Sequence, residues 1–181
     1  LSEQIGISRT PLREAFGLLH QEGLLDRLPN GGYAVRVFSF DDVIDAIELR
    51  GVLEGTAARL AAERGADTAE MQNIVADLDR VIGLGPEAMD FAAYTDLNAA
   101  FHACLASLPG SQTIRQEVER ATRLPFASPS AFLDAQSGIL DFRRSLIGAQ
   151  DQHREILNAI TNRQGSRAEH IAREHARLAL K

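Results

Sequence analysis

The feature that most constrains this chain is a change of pattern at residue 39. From Phe40 onward no strand signal remains. Ser39 can cap a long amphipathic stretch running through Arg64, with Val43, Ile47, Val52 and Leu53 among its apolar positions. Further helical runs are predicted at about 68–82, 86–105, 111–124, 151–162 and 166–180, divided by Gly and Pro. Residues 125–150 are less regular, because Pro125 and Pro129 break the pattern, yet FLDAQSGILDFRRSL (132–146) can form one more helix. The expectation is an all-α antiparallel bundle of six or seven helices over residues 39–181.

The preceding stretch reads differently. LSEQIG suggests a short helix with Ser2 as cap and Gly6 as stop. A turn then leads into TPLREAFGLLHQEGLL, where Leu12, Ala15, Phe16 and Leu19 recur at helical spacing and Gly23 ends the run. Leu24–Leu28 and Tyr33–Val37 are strand-like and flank Pro29, Asn30, Gly31 and Gly32, a hairpin-turn composition. Helix, turn, helix, hairpin is the order of a winged helix, assigned to residues 1–38. The fold class is thus mainly α, with an N-terminal winged helix-turn-helix.

At 181 residues there is room for one ordinary domain and a small second one. Hydrophobic residues at 45% and charged residues at 24% match a globular chain with a sizeable core. No run of about 18 apolar residues and no signal-peptide pattern occurs, so a cytoplasmic protein is expected. Cys104 is the only cysteine, which excludes an intrachain disulfide and a cysteine metal cluster. A net charge of -6 and pI near 5.4 argue against bulk electrostatic coating of nucleic acid, but leave specific contact by a small element open. Residues 1–40 balance Arg9, Arg13, Arg27 and Arg36 against Glu3, Glu14, Glu22 and Asp26, so the whole deficit falls on the bundle.

On the second helix Arg9, Arg13, Gly17 and His20 form a polar stripe opposite the apolar one. A helix that reads the major groove needs a small or hydroxyl-bearing N-terminus near phosphate and arginines able to pair with guanine. Ser8, Arg9, Thr10 and Arg13 supply both. Spacing alone fits an ordinary solvated helix equally well.

Asn98 and His102, four apart, share a helix face. His153 lies on the apolar side of its helix with Ile156, Leu157 and Ile160, and His175 shares a stripe with Ala168, Ile171 and Leu178. His170 lines up with Arg167, Arg173 and Glu174 and is predicted to face solvent. Counted from the turn near Gly165, His153 and His175 stand ~18 Å and ~15 Å along antiparallel helices, at similar height. Three inward imidazoles and one carbonyl oxygen suit Zn²⁺, Ni²⁺ or Mn²⁺ with positions open for a ligand. Three separately hydrogen-bonded core histidines are the plainer alternative. Asp96 is off this face, and Cys104 reads as a small buried hydrophobe.

LSEQIGISRTPLREAFGLLHQEGLLDRLPNGGYAV resembles the winged helix-turn-helix of GntR-type bacterial transcription regulators, and its Ser-Arg-Thr-Pro-Leu-Arg-Glu-Ala run is specific. Residues 40–181 resemble the FCD-type helical effector-binding domain of the FadR branch, entered here by DVIDAIELRGVLEGTAARLAA. The resemblance implies major-groove contacts by Ser8, Arg9, Thr10 and Arg13 and a wing tip at Gly31 and Gly32. In that family a further helix, often basic, precedes the matched residues, so a partial winged helix with weaker DNA affinity is expected.

The resemblance also implies a metal held by Asp, a His four residues later, and two further His about 22 apart. Asn98, His102, His153 and His175 occupy these places, with Asn98 standing where Asp is usual. Arg50, whose spacing from Glu54 fits an exposed ion pair equally well, is implied near the pocket as a carboxylate clamp. The function implied is a ligand-responsive regulator, usually a repressor, binding operator DNA as a homodimer and sensing a small carboxylic acid. The alternatives are a small helical metalloenzyme, for which no HExxH or GxSxG motif is present, and a metal sensor without organic effector.

Overall fold

The computed structural model describes residues 5–131 and 133–180 and is mainly helical. Helix α1 (Arg9–Gln21) is followed by strands β1 (Leu25–Arg27) and β2 (Tyr33–Val35). The bundle comprises α2 (Phe40–Arg64), α3 (Ala69–Gly83), α4 (Phe91–Ser107), α5 (Gln112–Thr122), the single turn α6 (Leu133–Gln136), α7 (Leu140–Thr161) and α8 (Gly165–Ala176), closed by a 3₁₀ turn, Arg177–Leu180. Residues 1–4 of the expected first helix lie outside the described residues. Among the described residues no helix is long and apolar enough to cross a membrane.

The two strands pair antiparallel, Leu25 opposite Val35 and Arg27 opposite Tyr33. Their connection is built by Leu28 N–H donating to Gly32 O, Gly31 N–H donating to Leu28 O and Gly32 N–H donating to the Asn30 side chain. Gly31 sits at φ +80°, where a side chain is strained. Phe16 packs on Tyr33 at 5.6 Å between ring centroids, and His20 Nδ1 lies 2.7 Å from Leu25 O. His20 is therefore tied to the hairpin, unlike its expected place on a free polar stripe. The expected apolar face is only partly covered as well: Leu12 and Phe16 are half-buried, Ala15 and Leu19 are exposed, and α1 buries no residue fully.

Helix α2 begins where the sequence predicts. Ser39 Oγ accepts from Asp42 N–H and the Asp42 carboxylate accepts from Ser39 N–H, a reciprocal capping box. Its buried stripe is Ile47, Arg50, Glu54, Ala57, Ala58 and Ala61; Val52, expected inside, is exposed. Small residues on that stripe let α8 approach closely. A Cβ on Gly55 would meet Arg173 Cγ at 2.8 Å and Glu169 O at 2.9 Å, and one on Gly51 would meet Ala176 at 3.0 Å. The paired Arg177 and Glu48 side chains hold the end of α8 against α2.

Around this pair, Met71, Leu78, Phe101, Leu105, Ile156 and Ile160 contribute to one contiguous core. Two boundaries differ from expectation. Helix α4 starts at Phe91, not Pro86, because Asp90 accepts from Ala93 N–H and caps it there. Phe132 of the expected 132–146 helix lies outside the described residues, and 133–146 do not form one separate helix: α6 stops before Gly138, and the chain restarts at Leu140 as α7, which continues unbroken past the expected start at Asp151.

Candidate metal centre

Helices α2, α4, α7 and α8 converge on His102, His153 and His175, all buried, whose ligand-capable atoms lie within 4.8 Å of one another. The equal-height argument for the last two is met closely: their Nε2 atoms are 2.9 Å apart. His102 stacks on His175 with centroids 5.3 Å apart.

The surrounding hydrogen bonds decide which nitrogen each ring presents. Gln150 Nε2 donates to Val75 O and to the Asp79 carboxylate, which fixes its amide so that Oε1 faces His153 Nδ1 at 3.0 Å. His153 therefore donates from Nδ1 and presents a bare Nε2. His175 Nδ1 faces Gln152 Oε1 at 3.1 Å, and with Nδ1 as the donor its Nε2 is bare too. His102 Nδ1 donates to Glu54 Oε1 at 2.8 Å, which leaves Nε2 as the atom that could serve as a ligand. Carboxylate and carbonyl acceptors behind each ring are the arrangement that orients metal-bound histidines.

With both rings donating from Nδ1, two bare lone pairs stand 2.9 Å apart and repel unless a cation lies between them. Nitrogen ligands at ~2.0–2.1 Å from a transition ion and at right angles to each other would themselves be ~2.9 Å apart. Protonation is a poor substitute for metal here. Burial, reinforced by His175 and His102, holds the His153 imidazole well below its ordinary range. Burial and then His102 push His175 down to about 3, against the opposing pull of Glu54. The donor set therefore fits a divalent ion of the zinc, nickel or manganese type.

Glu54 is buried and ionised. Burial raises its carboxyl, but His102 and Arg50 outweigh that and hold it at about 2. Arg50 donates from Nη1 to Glu54 Oε2 at 3.4 Å and from Nη2 to Ala176 O at 3.2 Å. At 2% exposure it is no surface ion pair, which overturns that reading of the spacing. Its Nε is buried without a partner among the described residues. Arg50, Asn98, His102 and His175 all line one cavity of about 380 Å³.

Of the remaining predictions, Asn98 is buried on the His102 face of α4 while Asp96 is exposed. His170 is exposed, its Nδ1 held by Ser166 O. Cys104 is buried, and burial pushes its thiol up to about 11. Ser8, Arg9, Thr10, Arg13 and Gly31 are exposed and Gly32 is half-buried. Sequence reasoning missed the roles of Glu54, Gln150 and Gln152. Signals existed, since Glu54 falls on the stripe of Ile47, Ala58 and Ala61, and Gln150 lies one turn before His153.

The FCD domain matches residues 45–178. This chain belongs to the FCD family of GntR transcription regulators. It is 30% identical to the Nta operon transcriptional regulator of Aminobacter aminovorans over 166 residues, 90% of this chain and 71% of the relative. It is 28% identical to the HTH-type transcriptional repressor GlaR of Escherichia coli K12 over 180 residues, 97% and 79% of the two chains. Among solved structures, E. coli McbR/YncC superposes with a TM-score of 0.69 at 20% identity, covering 99% of this chain and 81% of the other. The Nta and GlaR relatives are transcription regulators, not enzymes, and the mainly helical fold is shared with McbR/YncC.

Proposed function

We propose that this regulator is a cytoplasmic, homodimeric repressor. Residues 1–38 would bind operator DNA through a winged helix, and residues 39–181 would sense a small carboxylic acid at a metal-centred pocket. The observation that carries the reading is the set of three buried imidazoles, each backed at Nδ1 by an oxygen acceptor, beside a buried arginine with an unused donor. His102, His153 and His175 would hold the ion, with Asn98 as the oxygen donor. When bound, such an ion supplies a Lewis-acidic point to which a carboxylate is drawn. Arg50 would orient the carboxylate, and Glu54 would balance Arg50 and aim His102.

On the DNA side, Ser8 and Thr10 at the start of α1 suit phosphate, Arg9 and Arg13 suit guanine edges, and Gly31 and Gly32 let the wing tip approach a backbone. The two parts touch through Arg36, which donates to Asp42 at 3.1 Å, and through Phe38, edge-on to Phe126 at 6.3 Å. The segment carrying Phe126 continues to Pro129 and Leu133, which line the cavity. Acid entering the cavity bears on that segment and, through Phe126, on the connection to the hairpin. A ligand that binds two arrangements unequally shifts the balance between them, and with it the spacing of two DNA-reading heads.

The test is fluorescence anisotropy of the protein on DNA from upstream of its own gene, with metal, with chelator and with a panel of acids. Sequence-specific binding weakened by an acid in the presence of metal is expected. Metal-dependent binding that no acid alters would replace the acid receptor by a metal sensor.

A further inference from the structure

The cavity combines two unlike surfaces. Arg50, Asn98, His102 and His175 form its polar end, Gln136 and Ser145 add two neutral polar groups elsewhere, and the remaining walls are largely hydrocarbon: Tyr94, Leu133, Phe142, Leu146, Ala149 and Leu178. Other charge is confined to Asp141, which is exposed and already paired with Arg144. A ligand with a second carboxylate, or with hydroxyls along its length, would give up more hydration against these walls than Gln136, the Tyr94 hydroxyl and Ser145, whose own hydroxyl already donates to Phe142 O, can return. One with a single carboxylate and an apolar remainder would lose nothing.

Size narrows the class. A dry cavity of about 150 Å³ accommodates benzene, so about 380 Å³ holds on the order of a dozen non-hydrogen atoms. Resting on the reading of the histidine centre as an acid receptor, we infer that the effector is a monocarboxylate with an apolar tail of roughly five to nine carbons. The carboxylate takes the unused Arg50 donor and the histidine centre, and the tail lies against Phe142, Leu146 and Leu178. Selectivity against small hydroxy acids and dicarboxylates then comes from the walls and not from the anion site, which any carboxylate satisfies.

Calorimetric titration of the zinc-loaded protein with acetate, butyrate, hexanoate, octanoate and dodecanoate, and with adipate, tests this. At about 0.8 kcal/mol per buried methylene, affinity rises about fourfold per methylene from butyrate to octanoate and levels off at dodecanoate. Adipate binds at least tenfold more weakly than hexanoate. Leu178→Asp lowers octanoate affinity at least tenfold more than acetate affinity, with an unchanged melting temperature showing that the half-buried substitution leaves the fold intact. A flat series in which acetate binds as well as octanoate, or adipate binding as tightly as hexanoate, overturns the apolar tail and leaves the acid receptor standing. No binding by any acid overturns both.

Discussion

The two parts of the molecule treat charge in opposite ways. Helix α1 and its hairpin bury no residue fully and keep Arg9 and Arg13 in solvent. The bundle buries Arg50, Glu54, His102, His153 and His175 together. Exposed arginines have no assigned partner until something is presented to them, so their geometry is completed by the surface they meet. Buried charges require a counter-charge in place beforehand, because an unpaired one is costly. On the proposed reading, one region recognises by display and the other by preorganisation, and substitutions should reveal the difference.

The largest effect is expected in the bundle. His153→Ala or His175→Ala removes one of three imidazoles and abolishes zinc uptake, whereas His170→Ala, outside the cluster, retains it. Elemental analysis of the purified variants decides, and equal loss in His170→Ala would break the contrast between buried and exposed histidines. Next comes Glu54→Gln, which keeps the shape but removes the charge behind His102 and beside Arg50. Loss of such an oriented partner typically lowers metal affinity ~10- to 100-fold, measurable by chelator competition. An unchanged affinity would show the carboxylate to serve only Arg50.

On the displayed side, Arg9→Ala or Arg13→Ala should each weaken specific operator binding by about 1–3 kcal/mol. Because neither side chain is buried, melting temperature should not move, which separates recognition from stability. Wild-type operator affinity would contradict the assignment of this face. The smallest change is Asn98→Asp. A carboxylate is the stronger oxygen ligand, so metal binding tightens, while the site drops from about +2 to +1 and attracts an anionic acid less. Calorimetry of metal into the metal-free protein, then of acetate into the loaded protein, should show opposite signs. Two affinities moving together would remove Asn98 from the metal.

Much of this contrast was legible in the sequence. Ser39 announced the capped start of α2, and the hairpin followed from Pro29 to Gly32. The 22-residue interval between His153 and His175 became a 2.9 Å approach because helical rise about a short turn is nearly fixed. Arg50 was ambiguous because a spacing of four reports a shared face and not whether that face is covered; Gly51 and Gly55, which admit α8, decide it. The start of α7 at Leu140 was missed because Pro125, Pro129 and Gly138 obscured the period just ahead of it. The tautomers were beyond reach, since Val75 and Asp79 fix Gln150 from another helix about 70 positions away.

The proposed receptor stands on three imidazoles holding one ion through Nε2. X-ray absorption at the zinc edge of the metal-loaded protein addresses it most directly. About three imidazole nitrogens at ~2.0–2.1 Å are expected, with loss of that scattering in a His153→Ala, His175→Ala double variant. A spectrum without imidazole scattering, or one unchanged in the double variant, would contradict it.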